Sequence, residues 1–139
     1  MRFLLDTNAV SEPLRQRPDE GYRAWIMAQD DADLAASVLT LGELRRGARL
    51  LSEGVRRSGI DVWILEVMVQ FRDRILSVDY AVAAAWAEVS VRHKRLGLVV
   101  GAIDELIAAT ALVHDLTLVT RNLRHFDHAG CKILCPWSA

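Results

Sequence analysis

The feature that most constrains the fold is the alternation of short apolar segments with longer amphipathic stretches. Short runs rich in Leu, Ala, Ile and Val and bounded by polar residues are typical of buried strands. They predict strands at 2–5, 34–37, 75–78, 116–119 and 132–134. Strands that alternate with helices predict an α/β sandwich with a short, mainly parallel central sheet, because the helices form the crossover connections.

Apolar residues at helical spacing predict the segments between these strands to be helices. A polar turn that begins at Thr7 is expected to lead into a brief helix that ends near Pro13. The other expected helices cover 20–29, 39–52, 58–72, 80–96 and 101–114. Ser58 and Asp79 each precede an apolar stripe and have side chains suited to capping a helix. Residues 120–127 are predicted to form a turn.

Composition limits the classes of protein to consider. The 139 residues fit one domain spanning 1–139, and 17 basic against 18 acidic residues give a net charge of −1. Attraction of the whole molecule to nucleic acid is therefore not expected, so a polyanion would have to be held locally. The longest apolar run, 80–87, is too short for the roughly 20 residues of a membrane span, and the start lacks a secretory signal, which predicts a cytoplasmic protein.

Carboxylate and amide side chains occupy the connections at one edge of the predicted sheet. In parallel sheets, sites form beyond the carboxyl ends of the strands. Asp6 ends the first strand, Glu43 is expected in the first turn of the third helix, and Asp104 opens a largely apolar helix. The turn after the fourth strand contributes Thr120, Asn122 and Asp127.

Carboxylates collected at one edge would need a cation. Two of them about 5 Å apart repel by roughly 3 kcal/mol at an effective dielectric constant near 20. Divalent cations relieve this repulsion, and hard oxygen ligands favour Mg²⁺ or Mn²⁺ over zinc. The sequence therefore predicts a magnesium or manganese site.

Each of these residues also has a purely structural explanation. Glu43 follows Thr40 at the spacing of a capping box, and Asp104 could cap its helix. Asp6 and Asn122 could close Asx turns after their strands. Asp104 nevertheless shares a helix face with apolar residues, and a carboxylate on a buried face requires a partner.

Four blocks of the sequence resemble PIN-domain ribonucleases, most closely VapC-type toxins of the FitB-like subgroup. The blocks are LLDTNAVSEP at 4–13, TLGELRRG at 40–47, DELIAATA at 104–111 and LVTRNLRHF at 118–126. With Pro136 and Trp137 near the end, the likeness extends over essentially the whole chain. It implies a three-layer α/β/α sandwich.

The resemblance also implies roles for individual residues. Asp6, Glu43 and Asp104 match the three metal-binding acids of the family's catalytic site. The fourth acidic position falls on Asn122, an amide that could orient water but adds no charge, which leaves a second metal in question. Asp127 is a candidate substitute for it.

Further residues match positions around the family's pocket. Thr7, Asn8 and Thr120 could orient carboxylates or water there. Candidates for phosphate contacts with RNA are the arginines near the acids, namely Arg45, Arg46, Arg49, Arg121 and Arg124.

The implied activity is that of an endoribonuclease toxin that uses Mg²⁺ or Mn²⁺. It would cut single-stranded or loop RNA through a metal-activated water, leaving a 5′-phosphate and a 3′-hydroxyl. The resemblance implies two protein partners, a second copy of the chain in a homodimer and a cognate antitoxin. The antitoxin is expected in a groove lined by 9–28 and 44–52.

Two other functions fit part of the pattern. A PIN-fold module that only binds a partner would explain the amide at Asn122. A strand ending in Asp6 is also similar to haloacid-dehalogenase phosphatases, although Asn8 replaces the second acid of that family. Metal titration would separate the first alternative from the nuclease, and a phosphoenzyme on Asp6 would favour the second.

The histidines and cysteines suggest a zinc site only weakly. Four potential ligands lie close in sequence, namely His125, His128, Cys131 and Cys135. If both cysteines lie on one strand, their Cα atoms are about 13 Å apart, too far for one tetrahedral ion. His93 and His114 stand near helix ends, where the terminal carbonyls explain them.

Overall fold

A five-stranded parallel sheet forms the centre of the protein. The computed structural model describes residues 1–138. Its strands are β1 (Phe3–Leu5), β2 (Leu34–Ser37), β3 (Ile75–Leu76), β4 (Thr117–Val119) and β5 (Ile133–Leu134). Their order across the sheet is β3-β2-β1-β4-β5, and each pairing is parallel. The predicted sheet is therefore confirmed.

Helices provide the connections between the strands. They are α1 (Thr7–Ser11), α2 (Glu20–Met27), α3 (Val38–Leu50), α4 (Val55–Phe71), α5 (Tyr80–Arg95), α6 (Ala102–Val113) and α7 (Leu123–Phe126). Short 3₁₀ turns cover Glu12–Leu14, Asp31–Asp33 and Arg72–Arg74. None of the helices within 1–138 combines the length and apolar character that crossing a bilayer requires.

Alternation along the strands places a hydrophobic core on each side of the sheet. Phe3 and Leu5 of β1 face a core shared with α1 to α4, whereas Leu4 faces the opposite core. That second core includes Val89 of α5 and Ile107 of α6. Successive side chains point to opposite faces of a strand, so a buried strand with no polar position needs a helical layer on both sides. The three-layer α/β/α sandwich is confirmed.

The predicted start of α4 and the predicted turn at 120–127 are wrong in detail. The helix α4 begins at Val55, three residues before Ser58, and follows Gly54 in the left-handed region with φ of 155°. Residues 123–126 form α7, because Phe126 is buried in the second core and anchors one helical turn. The predicted cap at Asp79 does form, its side chain accepting a main-chain N–H of α5. Asp19 caps α2 in the same way.

The strand order creates a crevice between β1 and β4. The chain adds β2 and β3 on one side of β1 and then β4 and β5 on the other, so the connections diverge here. The main-chain N–H of Asp6 donates to the Val119 carbonyl at 3.1 Å, which joins the two strand ends. Such a switch point is where open α/β sheets bind ligands.

Candidate active site

Asp6 lies at the centre of this crevice and is buried. Its side chain is 4% exposed. Oδ1 accepts the main-chain N–H of Ala9 at 2.8 Å and so caps α1, while Oδ2 accepts the Thr120 hydroxyl at 2.5 Å. The structural and functional explanations of Asp6 are therefore compatible, because one oxygen caps the helix and the other faces β4.

Three carboxylates share the electrostatic field of the crevice. Burial, together with the charges of Asp104 and Glu43, raises the pKa of Asp6 to about 6. Hydrogen bonds from Thr120 and Ala9 oppose the shift but do not cancel it. Deprotonated Asp6 is thus held in an environment with too little positive charge.

Glu43 is positioned by a threonine from α1. The hydroxyl of Thr7 donates to Glu43 Oε1 at 2.5 Å and lies 3.3 Å from the Thr40 hydroxyl. The capping-box explanation is wrong, because α3 begins at Val38 and the Ser37 side chain caps it. The sequence predicts Glu43 in the first turn of α3, but Glu43 lies in the second turn.

Asp104 is held by a histidine from α7. Its Oδ2 accepts from His125 Nδ1 at 2.9 Å, and its side chain is 30% exposed. The explanation of Asp104 as a helix cap is wrong, because Gly101 occupies the cap position of α6. Asp104 does share a helix face with the buried Ile107, Ala108 and Ala111, and His125 is the partner that such a position requires. The fully buried acid of α6 is its neighbour Glu105, which pairs with His93 at 2.7 Å.

The turn between β4 and α7 is organised by the Thr120 hydroxyl. That hydroxyl accepts the main-chain N–H of Asn122 at 3.0 Å. The Asx turn expected from Asn122 does not form, because its side chain makes no hydrogen bond to the start of α7. Asn122 is exposed beside the crevice. Asn8 on α1 and Asp127 after α7 are exposed too, and in the described chain neither side chain joins these hydrogen bonds.

The five candidate arginines are all exposed. Arg45 and Arg49 line an open groove between α3 and α4, whose other walls include Leu41 and Met68. Hydrogen bonds from Ser138 and Tyr22 lower the pKa of Asp19 at the start of α2, and the charge of Arg121 contributes to this shift. Arg46 and Arg124 face solvent. Their contacts with phosphate remain predictions.

The residues present fit a hard divalent cation. Within 1–138, no three His, Cys, Asp or Glu side chains converge as a ready-made metal cage. Mg²⁺ does not require one, because it retains several waters and binds through one or two carboxylates. Oxygen donors and the raised pKa of Asp6 suit such an ion. The metal-binding roles of Asp6, Glu43 and Asp104 stay predictions.

The structure gives the histidines different partners from those expected. His125 bonds Asp104, and Cys131 and Cys135 are free thiols, so the described residues contain no zinc cluster. The helix-end explanation of His93 is wrong, because its ring is buried against Glu105. The sequence contains a signal for this burial, since His93 continues the inner stripe of α5 four residues after a buried valine.

The fold is that of a known family. The family model described as PIN domain matches residues 3–130, and the chain belongs to this family. This decides against the haloacid-dehalogenase alternative. Toxin FitB of Neisseria gonorrhoeae is 38% identical over 136 residues, covering 97% of this chain and 98% of FitB.

Other relatives extend the same pattern over nearly the full length. Plasmid stability protein StbB of Pseudomonas syringae is 36% identical over 138 residues, 99% of each chain. VapC ribonuclease Y4jK of Sinorhizobium fredii is 36% identical over 136 residues, 97% of each chain. The crystal structure of FitAcB from Neisseria gonorrhoeae superposes with a TM-score of 0.89 at 38% identity, covering 99% of both chains. The relatives with this fold thus include one named as a toxin and one named as a VapC ribonuclease.

Proposed function

We propose that this protein is the endoribonuclease toxin of a toxin–antitoxin pair and that it uses Mg²⁺ or Mn²⁺. The observation that carries the proposal is the buried Asp6, whose pKa is raised by burial and by the charges of Asp104 and Glu43. An unrelieved negative charge at a switch point is a binding site for a cation. Relatives named as ribonucleases support the choice of RNA as substrate.

The chain's own residues would hold and orient this cation. Asp6, Glu43 and Asp104 supply the carboxylate oxygens, and each has one oxygen fixed by a donor from another element. A bound Mg²⁺ or Mn²⁺ supplies neutralisation of charge on the scissile phosphate and activation of a water for attack. Asn122 borders the crevice and offers a neutral amide for orienting water or a phosphate oxygen. A site with three acids suits one divalent cation better than two divalent cations.

The proposed inhibitor is a cognate antitoxin. Segments 9–28 and 44–52 do not line one groove as expected, because Arg45 and Arg49 line a separate groove between α3 and α4. A groove beside α2 is lined by 9–28 residues alone, namely Glu12, Pro13, Pro18, Tyr22, Arg23, Ile26 and Met27. Its apolar walls suit the apolar face of a helix. The relatives of known structure include FitAB bound to a DNA fragment, with a TM-score of 0.91 at 36% identity, covering 99% of this chain and 96% of that one. We further propose a homodimeric toxin that acts in the cytoplasm.

The test combines RNA cleavage with metal dependence. Purified toxin without antitoxin is incubated with total RNA in EDTA, Mg²⁺ or Mn²⁺, and the new 5′ and 3′ ends are mapped. Cleavage is expected only with metal, leaving a 5′-phosphate, and Asp6→Asn or Asp104→Asn should reduce it at least a hundredfold. Toxin mixed with its antitoxin before the RNA is added should leave the RNA intact.

An exposed acid outside the crevice serves as the matched control. Asp73 lies in the 3₁₀ turn after α4 and is exposed, so Asp73→Asn makes the same chemical change far from the site. It should cleave like the wild type. Absence of both metal binding and RNA cleavage would indicate the partner-binding module instead. Equal cleavage in EDTA would refute metal dependence.

A further inference from the structure

One short segment connects the two ends of the acidic crevice. The β4–α7 segment, residues 120–126, begins with Thr120, whose hydroxyl donates to Asp6 Oδ2 at 2.5 Å. It ends beside His125, whose Nδ1 lies 2.9 Å from Asp104 Oδ2. Two acids that are 98 positions apart in sequence, from position 6 to position 104, are therefore each held by the same turn.

The segment is rigid enough to set this spacing. Phe126 is buried in the second core and fixes the end of α7. Within the turn, the main-chain N–H of His125 donates to the Asn122 carbonyl at 3.1 Å, and that of Asn122 donates to the Thr120 hydroxyl at 3.0 Å. Hydrogen bonds thus link Thr120 to His125 without a gap.

The orientation of the Asp104 carboxylate depends on a hydrogen-bond donor more than that of the buried Asp6 carboxylate does. The Asp104 side chain is 30% exposed, so packing alone leaves its carboxylate free to rotate. With Asp104 ionised, His125 Nδ1 is the donor and fixes Oδ2, which leaves Oδ1 for another ligand. Partners of this kind around metal ligands set their orientation, and their loss commonly weakens metal affinity by 10 to 100 times.

We propose that His125 is a positioning residue, which acts through its Nδ1 hydrogen bond to aim the Asp104 carboxylate at the divalent cation. The inference rests on the proposed metal-dependent function and adds a residue outside the acidic set. The imidazole acts here as a fixed donor on a one-turn helix. Its side chain is 54% exposed, so replacing it should leave the fold intact.

The test measures Mn²⁺ binding by calorimetry on the full chain, with no RNA present. Asn is the informative replacement, because its Nδ2 is separated from Cβ by one carbon, as Nδ1 of histidine is. The Gln amide nitrogen lies one bond further from Cβ and fits the hydrogen bond poorly. We expect His125→Ala and His125→Gln to weaken Mn²⁺ binding about tenfold, and His125→Asn to remain within about twofold of wild type.

His128→Ala is the matched control, since it removes an exposed histidine just after α7. It should bind Mn²⁺ like the wild type, and metal-free melting curves should show that all variants are folded. Wild-type affinity in His125→Ala would overturn the inference alone. A loss in His125→Asn equal to that in His125→Ala would overturn the role of Nδ1. Absence of Mn²⁺ binding by the wild type would instead overturn the proposed function, and this inference with it.

Discussion

Replacing Asp6 by Asn should make the metal-free protein more stable at neutral pH. The carboxyl has a pKa of 3.8 in its ordinary environment and about 6 in the folded protein. The folded state therefore binds this proton more tightly than the unfolded state does. The stability contributed by protonated Asp6 is fully present below pH 3.8 and is lost as the pH rises through 6.

The size of the effect follows from the two pKa values. Above pH 7 their difference corresponds to about 3 kcal/mol of destabilisation by ionised Asp6, and at pH 5 to about half of that. An Asn side chain keeps an oxygen that can cap α1 and has no charge to desolvate. Asp6→Asn should thus raise the unfolding free energy by up to about 3 kcal/mol at pH 7.5, or the melting temperature by roughly 10 °C.

The assay is urea denaturation in EDTA at pH 5.0 and pH 7.5, repeated with Mn²⁺. Metal at 100 times its dissociation constant should add about 2.7 kcal/mol to the wild type, and much less to Asp6→Asn. Asp19→Asn is the control of opposite sign. Asp19 also caps a helix, but hydrogen bonds from Ser138 and Tyr22 lower its pKa, so the amide should destabilise the protein at neutral pH. An Asp6→Asn effect that is absent at pH 7.5, or independent of pH, would refute the reasoning.

Three other substitutions test contacts away from the cation. His93→Ala leaves the buried Glu105 carboxylate without its partner and should lower the unfolding free energy in urea by roughly 3–5 kcal/mol; a loss below about 1 kcal/mol would contradict this. Tyr22→Phe removes a hydroxyl that donates at 2.7 Å to a buried carbonyl of α1, which should cost about 1–3 kcal/mol, and unchanged thermal melting would count against it. Thr120→Val should raise the pKa of Asp6 above its present value, because a hydrogen bond to the ionised form is lost. Carboxyl NMR titration measures this pKa, and an unchanged or lower midpoint would contradict the prediction.

The sheet could be predicted because its strands are short apolar runs flanked by polar turns. The errors fall where the signal is weak. The first turn of α4 is Val55, Arg56 and Arg57, mostly exposed residues that carry no apolar stripe, and Gly54 provides no side-chain cap. The helix α7 is a single turn with one buried residue, Phe126, which periodicity over longer windows does not detect.

The location of the candidate site was predictable from strand ends, but its contacts were not. Asp104 and Glu105 are neighbours on a helix that is apolar on most of its surface, so no stripe indicates which acid points inward. Successive side chains on a helix differ in direction by about 100°, which decides that Glu105 bonds the buried His93 and Asp104 lies beside His125. The partner of Asp104 comes from α7, whose packing depends on tertiary contacts that no local pattern encodes.

The strand order also bears on how the protein is made. The central strand β1 emerges first during synthesis, yet one of its two neighbours, β4, ends at Val119. A nascent chain that has released only Asp6 and Glu43 therefore has neither Thr120 nor Asp104 with which to complete the crevice. The crevice of the proposed nuclease is therefore complete only once synthesis has passed Thr120, which gives a partner time to be present.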